Sequence, residues 1–207
     1  MLTVVFVMLA GVGAGSLGAM LGLGGGIFLV PLLNIGLDIP IDNAMAISLV
    51  TVIATSNFVS LSVTGRRYAN ARLAMVLQVA AAIGALSGLW ILDFVNERSR
   101  ELIFAGTALL VAIVMLARLN ARNVLDPSVT DVGLLGGRVE DPDTGSVVAY
   151  RLKRLPFGVS VTFVAGIISS LAGVGGGVLV VPALNSWCGV PMRVAAATSA
   201  VILGVTA

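Results

Sequence analysis

The sequence predicts an all-α polytopic membrane protein, built as an inverted-topology repeat with glycine-broken hairpins and a small cytoplasmic β-hairpin loop. Three observations carry this prediction. The chain of 207 residues is 58% hydrophobic and only 11% charged, whereas a soluble domain carries about 25% charged residues. Its charges are confined to short segments between long apolar stretches. One glycine-rich apolar segment also occurs twice, in register and without a gap.

The apolar stretches define the predicted spans. A helix needs about 20 mainly apolar residues to cross a bilayer. Asn43–Thr64 and Arg72–Leu92 satisfy that requirement, and Glu101–Leu119 is shorter but adequate. Met1–Leu37 and Leu155–Cys188 are too long for one straight span and too rich in glycine for a plain one. We therefore expect a multi-pass protein embedded in the lipid bilayer.

The duplicated segment is the most informative feature of the chain. Gly22–Asn34 reappears as Gly173–Asn185 at a constant offset. The identities continue to Pro40/Pro191, Ala44/Ala195, Ala46/Ala197, Ser48/Ser199 and Thr55/Thr206. A glycine-broken apolar segment at matching places in two halves is typical of a transporter binding site.

The loop charges predict the topology. The segment 65–72 carries only basic charges, and the positive-inside rule places it in the cytoplasm. Three predicted crossings then separate the two copies, so the second copy enters from the opposite face and the N-terminus lies outside. This holds if each glycine segment is a hairpin that returns to its own side; a single broken crossing would make the repeats parallel. Asp38 and Asp42 after the first copy, against Arg193 after the second, favour the inverted case.

A hydrophilic segment, residues 120–155, divides the chain. Its flanks, Leu134–Glu140 and Ser146–Lys153, surround the turn-forming run Asp141–Gly145. A short β-hairpin is predicted there, with a plain linker as the alternative. The chain thus divides into a first transmembrane repeat (1–119), a cytoplasmic loop (120–155) and the start of a second transmembrane repeat (156–207). By internal symmetry a complete second repeat would end near residue 270, roughly, so we expect the chain to be a fragment of a longer protein.

The glycine triplets are the predicted substrate site. Each should interrupt a helix, and the short helix that follows begins with unpaired amides at the positive end of its dipole. Such an N-terminus attracts anions without a charged side chain. The predicted substrate-binding residues of the two segments are Gly24, Gly25, Gly26, Ile27, Gly175, Gly176, Gly177 and Val178. The alternative is close helix packing, which we expect for the small-residue pairs Gly11/Gly15, Gly18/Gly22 and Gly84/Gly88.

Polar residues in apolar surroundings extend the predicted site. Asn34, Asn185, Ser48 and Ser199 are duplicated in register, and Thr198 precedes Ser199. These side chains could donate hydrogen bonds to an oxyanion, or could instead serve as interhelical contacts or helix caps. The predicted spans contain no ionisable residue near their centres, so no carrier for ion coupling is visible.

Several classes of function are excluded. The chain has no histidine and no paired intramembrane carboxylates, so we expect neither an enzyme nor a metal site, and no cofactor. The net charge of +2 does not indicate nucleic acid. The single cysteine, Cys188, cannot form an internal disulfide and is read as a packing residue. Gly13–Gly18 imitates a dinucleotide fingerprint, but the soluble βαβ context is missing.

The residues of the repeat also resemble a known family. Gly22–Pro31 followed by 40–44, repeated as Gly173–Pro182 followed by 190–199, is similar to the TauE/SafE family of sulfite and organosulfonate exporters. The resemblance implies a two-fold repeat architecture and export of small sulfur-containing anions, such as sulfite or sulfoacetate, across the inner membrane. The leading hypothesis is therefore a transporter with a small anionic substrate; a homo-oligomer is left open. An anion channel or a non-transporting membrane assembly subunit are the alternatives.

Overall fold

The computed structural model describes residues 2–62, 67–118, 133, 135–140 and 147–206. Within that part of the chain the fold is mostly helical. The helices of the first part are α1 (Leu2–Leu21), α2 (Gly26–Leu37), α3 (Ile41–Leu61), α4 (Ala71–Leu92) and α5 (Glu97–Arg118). After the strands β1 (Gly137–Glu140) and β2 (Val147–Tyr150) come α6 (Leu155–Ala172), α7 (Gly177–Ser186) and α8 (Met192–Thr206).

Three of these helices, α3, α4 and α6, are long and apolar enough to cross a membrane. Shorter apolar helices accompany them: α2, α7, α8 and the Val7–Leu21 part of α1. The predicted spans Asn43–Thr64 and Arg72–Leu92 correspond to α3 and α4. The predicted crossing by Glu101–Leu119 corresponds to α5, which has four charged residues among its first five and is not one of those three helices. Its crossing stays a prediction.

The glycine triplets interrupt helices, as the sequence predicts. The helix α1 ends at Leu21 and α2 begins at Gly26, while α6 ends at Ala172 and α7 begins at Gly177. Positive φ angles of 62° to 87° occur at Gly22, Gly24, Gly25, Gly173 and Gly175, a region that residues with a Cβ rarely adopt. The stretches that were too long for one span are therefore each divided into a long and a short helix.

Small residues let α4 and α6 cross at close range. A Cβ atom on Gly84 would collide with the carbonyl oxygen of Phe163, and one on Gly88 would lie 2.7 Å from the carbonyl oxygen of Ile167. The prediction of close packing at Gly84 and Gly88 is confirmed. It is wrong for Gly11, because no atom of the described residues lies within 4 Å of a Cβ placed there.

The hydrophilic segment contains the predicted β-hairpin. The strands β1 and β2 pair antiparallel, with Gly137 opposite Tyr150 and Glu140 opposite Val147. The predicted turn, Asp141–Gly145, lies outside the described residues. The side chain of Asn70 attaches the hairpin to α4: its Nδ2 donates to Tyr150 Oη (2.9 Å) and to the carbonyl oxygen of Leu135 (2.9 Å). Burial raises the pKa of Tyr150, and the Asn70 hydrogen bond opposes that shift.

Contacts near the helix ends define which elements lie together. An ion pair between Arg100 and Asp42 joins the start of α5 to the start of α3. At the other end of α4, Asn70 lies next to the hairpin. The backbone N–H of Lys153, just before α6, donates to the carbonyl oxygen of Cys188, just before α8 (3.0 Å). The helices α6 and α8 therefore begin on the hairpin side of the bundle.

Candidate functional site

The two glycine turns lie against each other between α3 and α8. We call residues 22–26 the first glycine turn and residues 173–177 the second glycine turn. Val52 of α3 and Leu203 of α8 contact both turns. A Cβ on Gly24 would lie 2.8 Å from Val52 Cγ1 and 3.3 Å from Leu203 Cδ1; a Cβ on Gly175 would lie 3.0 Å and 3.1 Å from atoms of the same two side chains. The structure thus brings both predicted halves of the site together.

The serines of the repeat exchange hydrogen bonds between the two copies. Ser48 Oγ, in the first copy, donates to the carbonyl oxygen of Gly173 in the second (2.8 Å). Ser199 Oγ, in the second copy, donates to the carbonyl oxygen of Gly22 in the first (3.1 Å). All four residues are buried. Each hydroxyl therefore satisfies a carbonyl group that the broken helix of the other copy leaves unpaired.

Backbone packing follows the same exchange. A Cβ on Gly22 would lie 2.6 Å from Ala196 Cα, and one on Gly173 would collide with Met45 Cβ. Ala196 and Met45 occupy equivalent positions of the repeat. Contacts in which residue i of one copy meets residue j of the other, and j meets i, are the pattern of an isologous interface.

Unpaired amides lie at the start of both short helices. Within the described residues, the N–H groups of Gly25, Gly26 and Ile27 have no hydrogen-bond acceptor. The same is true of the N–H groups of Gly176, Gly177 and Val178. Neither α2 nor α7 has a side chain that caps its N-terminus. These six amides are the donors that the sequence predicts for an anion.

The two turns differ in detail although their sequences match. Gly25 has φ +87°, in the left-handed region, whereas its counterpart Gly176 has φ −62°. The first turn is also held more tightly. Gly18 of α1 lies so close to Gly25 that a Cβ on Gly18 would collide with the backbone nitrogen of Gly25. The second copy carries Ser169 at the position equivalent to Gly18. Thr55 Oγ1 lies 2.9 Å from the carbonyl oxygen of Gly24 and 2.9 Å from that of Thr51, and it can donate its one hydrogen to either.

Asn34 and Asn185 close the loops that follow the short helices. Asn34 Nδ2 donates to the carbonyl oxygen of Ile39 (2.9 Å), and Asn185 Nδ2 donates to that of Val190 (3.0 Å). Both side-chain amides therefore already have an acceptor, in the helix-end role that the sequence left open. The loop of the first copy also contains Asp38, whose φ of +52° matches the left-handed Gly189 of the second.

Thr198 is fully buried on α8, where its Oγ1 accepts the backbone N–H of Asn70 (3.1 Å). Together with the bonds from Asn70 to the hairpin, this connects the hairpin to the residue next to Ser199. Sequence reasoning did not assign Asn70, Thr55, Val52 or Leu203 to the site. The repeat held a signal for the last three: Thr55 is identical to its counterpart Thr206, and Val52 and Leu203 are equivalent apolar residues one helical turn after the paired serines.

Most residues that carry the free amides are buried: Gly25, Gly26, Gly177 and Val178 are buried, whereas Ile27 and Gly176 are partly exposed. A crevice beside the first glycine turn, lined in part by Gly18, Gly24, Thr55 and Ser56, is too tight to admit a water molecule. The Ser56 hydroxyl there is buried and has no hydrogen-bond partner among the described residues. An anion could reach the amides of the four buried residues only if the packing around the two turns loosens.

The comparisons with known proteins agree on one family. Residues 7–207 match the model of the family described as Sulfite exporter TauE/SafE. The chain is also similar to the "Probable membrane transporter protein YunE" of Bacillus subtilis (strain 168), with 26% identity over 206 residues. That match covers 96% of this chain and 73% of the relative. No solved structure matches the chain.

Proposed function

Because the chain belongs to the TauE/SafE family of multi-pass membrane transporters, we propose that it exports small sulfur-containing anions such as sulfite or organosulfonates. The observation that carries the proposal is the meeting of two helix N-termini, each with three unpaired amides, between α3 and α8. The alternative of a non-transporting assembly subunit is set aside, since the family consists of transporters. The resemblance seen in the sequence is thereby confirmed at the level of the family.

The amides of Gly25–Ile27 and Gly176–Val178 hold the anion in this proposal. Each set lies at the positive end of a short helix, where hydrogen-bond donors and the helix dipole both favour negative charge. Backbone donors in a dry site are stronger than in water because the local dielectric is low. A site of this kind selects compact oxyanions over neutral solutes.

Alternating access follows from an inverted repeat. The exchanged contacts support a two-fold relation between the copies, and three helices separate them in the chain. The start of α3 lies beside that of α5, at the end of α4 remote from the hairpin, whereas its equivalent α8 begins on the hairpin side. Equivalent helices that begin on opposite sides favour the inverted arrangement. Transport then occurs by rocking of one repeat against the other.

The buried hydroxyls change partners during this cycle. Ser48 and Ser199 donate to carbonyl oxygens while the glycine turns are packed together. When the turns separate, the same O–H groups become free to donate to a bound oxyanion, and Thr198 lies beside Ser199 to assist. Asn34 and Asn185 keep the loops closed with one of the two hydrogens of each side-chain amide.

An anion channel on the same two turns is the second candidate. It is favoured by the absence of charged residues from the long apolar stretches, including 43–65 and 155–192. A coupled transporter usually carries such a residue in the membrane. Saturable flux that exchanges one anion for another contradicts the channel, whereas an ohmic current supports it.

The test is uptake of radiolabelled sulfite and sulfoacetate into proteoliposomes that contain the full-length protein, with and without a pH gradient. Gly25→Leu and Gly176→Leu should abolish flux while leaving membrane insertion largely intact. Gly36→Leu is the matched control, because Gly36 lies on α2 with open space around it. Saturable flux that is lost only in the first two variants supports the proposal. Normal flux in both variants refutes the assignment of the site.

A further inference from the structure

Two buried apolar side chains lie where the glycine turns meet. Val52 on α3 and Leu203 on α8 are equivalent positions of the repeat, and their exposed fractions are 0% and 1%. Each contacts the glycine turn of its own copy and that of the other copy. No other side chain appears among the nearest neighbours of both Gly24 and Gly175 within the described residues. The pair therefore lies between the two glycine turns.

The pair fills the space next to the free amides. A Cβ on Gly177, the first residue of α7, would lie 2.5 Å from Leu203 Cδ1. Val52 covers Gly24 and Gly175, each of which directly precedes one of the residues with free amides. Methyl groups cannot donate hydrogen bonds to an anion, and contact with them would strip the anion of water without replacement. The two side chains must withdraw before an anion can bind.

We propose that Val52 and Leu203 form a hydrophobic gate between the glycine turns, and that their combined size sets the largest anion the protein accepts. This inference rests on the proposed function and deepens it. Because each side chain contacts both turns, it cannot withdraw from one turn without leaving the other. The gate therefore opens at both turns in a single step. Valine and leucine leave room for a compact inorganic oxyanion before they admit an organosulfonate.

The test shortens or lengthens the two side chains that form the gate. Leu203→Ala and Val52→Ala should raise flux of sulfoacetate relative to sulfite on the order of tenfold, the effect typical of one or two methylene groups at a discriminating apolar contact. Val52→Leu should lower that ratio. The matched controls are Leu77→Ala on α4 and Val181→Ala on α7, which remove equally buried side chains from the core. Gel filtration after reconstitution shows which variants are folded.

A second readout does not depend on the proposed substrates. The double variant Val52→Ala with Leu203→Ala should let nitrate leak into proteoliposomes at least about tenfold faster than the double control, Leu77→Ala with Val181→Ala. Nitrate leak equal to that of the double control overturns the gate, whatever the sulfite result. Wild-type protein that transports neither sulfite nor sulfoacetate overturns the proposed function instead, while the nitrate leak still decides the gate.

Discussion

The same substitution at equivalent positions of the two glycine turns should have very different effects on stability. Gly25 and Gly176 carry the same residue in the same sequence context, but Gly25 has φ +87° and Gly176 has φ −62°. The left-handed region costs a residue with a Cβ about 1–2 kcal/mol. An alanine at Gly25 would also place its Cβ 2.7 Å from the carbonyl oxygen of Ala14, which is backbone and cannot rotate away.

These two effects add for Gly25→Ala. With about 1–3 kcal/mol for the displaced backbone, the loss of stability is about 2–5 kcal/mol, or on the order of 10 °C in melting temperature for a chain of this size. Gly176→Ala meets only a 3.3 Å contact with the carbonyl oxygen of Ala165. It also gains about 0.4–1 kcal/mol because alanine restricts the unfolded chain. We expect its stability to change by less than about 1 kcal/mol.

The assay is thermal unfolding of the purified variants in one detergent, followed by the fraction that remains monodisperse on gel filtration. Gly36→Ala is the control, since it replaces a glycine in an open part of α2. Equal melting temperatures for Gly25→Ala and Gly176→Ala would refute the reasoning. They would mean that the two turns have the same conformation in solution.

Three further predictions concern single side chains. Ser48→Ala should lower stability by about 1–3 kcal/mol, because it leaves the buried carbonyl oxygen of Gly173 without a donor; the measurement is thermal unfolding as above. Asp38→Gly should raise stability by up to about 1 kcal/mol, since it removes a left-handed non-glycine residue and a negative charge from a helix C-terminus; the reverse change, Gly189→Asp, should lower it. Cys188 should react slowly with a maleimide at neutral pH, because burial raises the pKa of its thiol and little thiolate is present; the labelling rate should rise with pH.

Each of these has a clear contrary outcome. Ser87→Ala is the control for Ser48→Ala, because the Ser87 hydroxyl bonds only within its own helix. If both variants lose the same amount of stability, the long-range bond from Ser48 to Gly173 does not stabilise the fold more than a bond within one helix. If the Asp38→Gly variant is less stable than the parent protein, the Asp38 carboxylate makes a stabilising contact. Rapid labelling of Cys188 in the folded protein would show that the loop before α8 opens to solvent.

The sequence was sufficient to predict the parts of the fold that depend on local pattern. Apolar length predicted α3 and α4, three consecutive glycines predicted the breaks before α2 and α7, and turn residues predicted the hairpin. The start of α5 was harder to predict, because its charged first turns are helical yet not apolar. Apolar length therefore placed the helix but not its boundary.

The contacts of the site could not be predicted in the same way. Ser48 and Ser199 were identified as polar residues in register, but their acceptors lie 125 and 177 residues away in the chain. The different φ angles of Gly25 and Gly176 depend on how α1 and α6 pack against each turn, as the change from Gly18 to Ser169 illustrates. Asn70 showed no repeat signal at all, since it lies outside the duplicated segment.

The exchanged serine bonds have a consequence for how the two halves can diverge. The carbonyl oxygen of Gly173 depends on a serine in the first copy, and that of Gly22 depends on a serine in the second. A change in one glycine turn is therefore compensated, if at all, in the opposite half of the chain. The sequence of each glycine turn is therefore constrained by the serine in the other half of the chain. Pairs of substitutions that rescue each other should accordingly connect the halves crosswise.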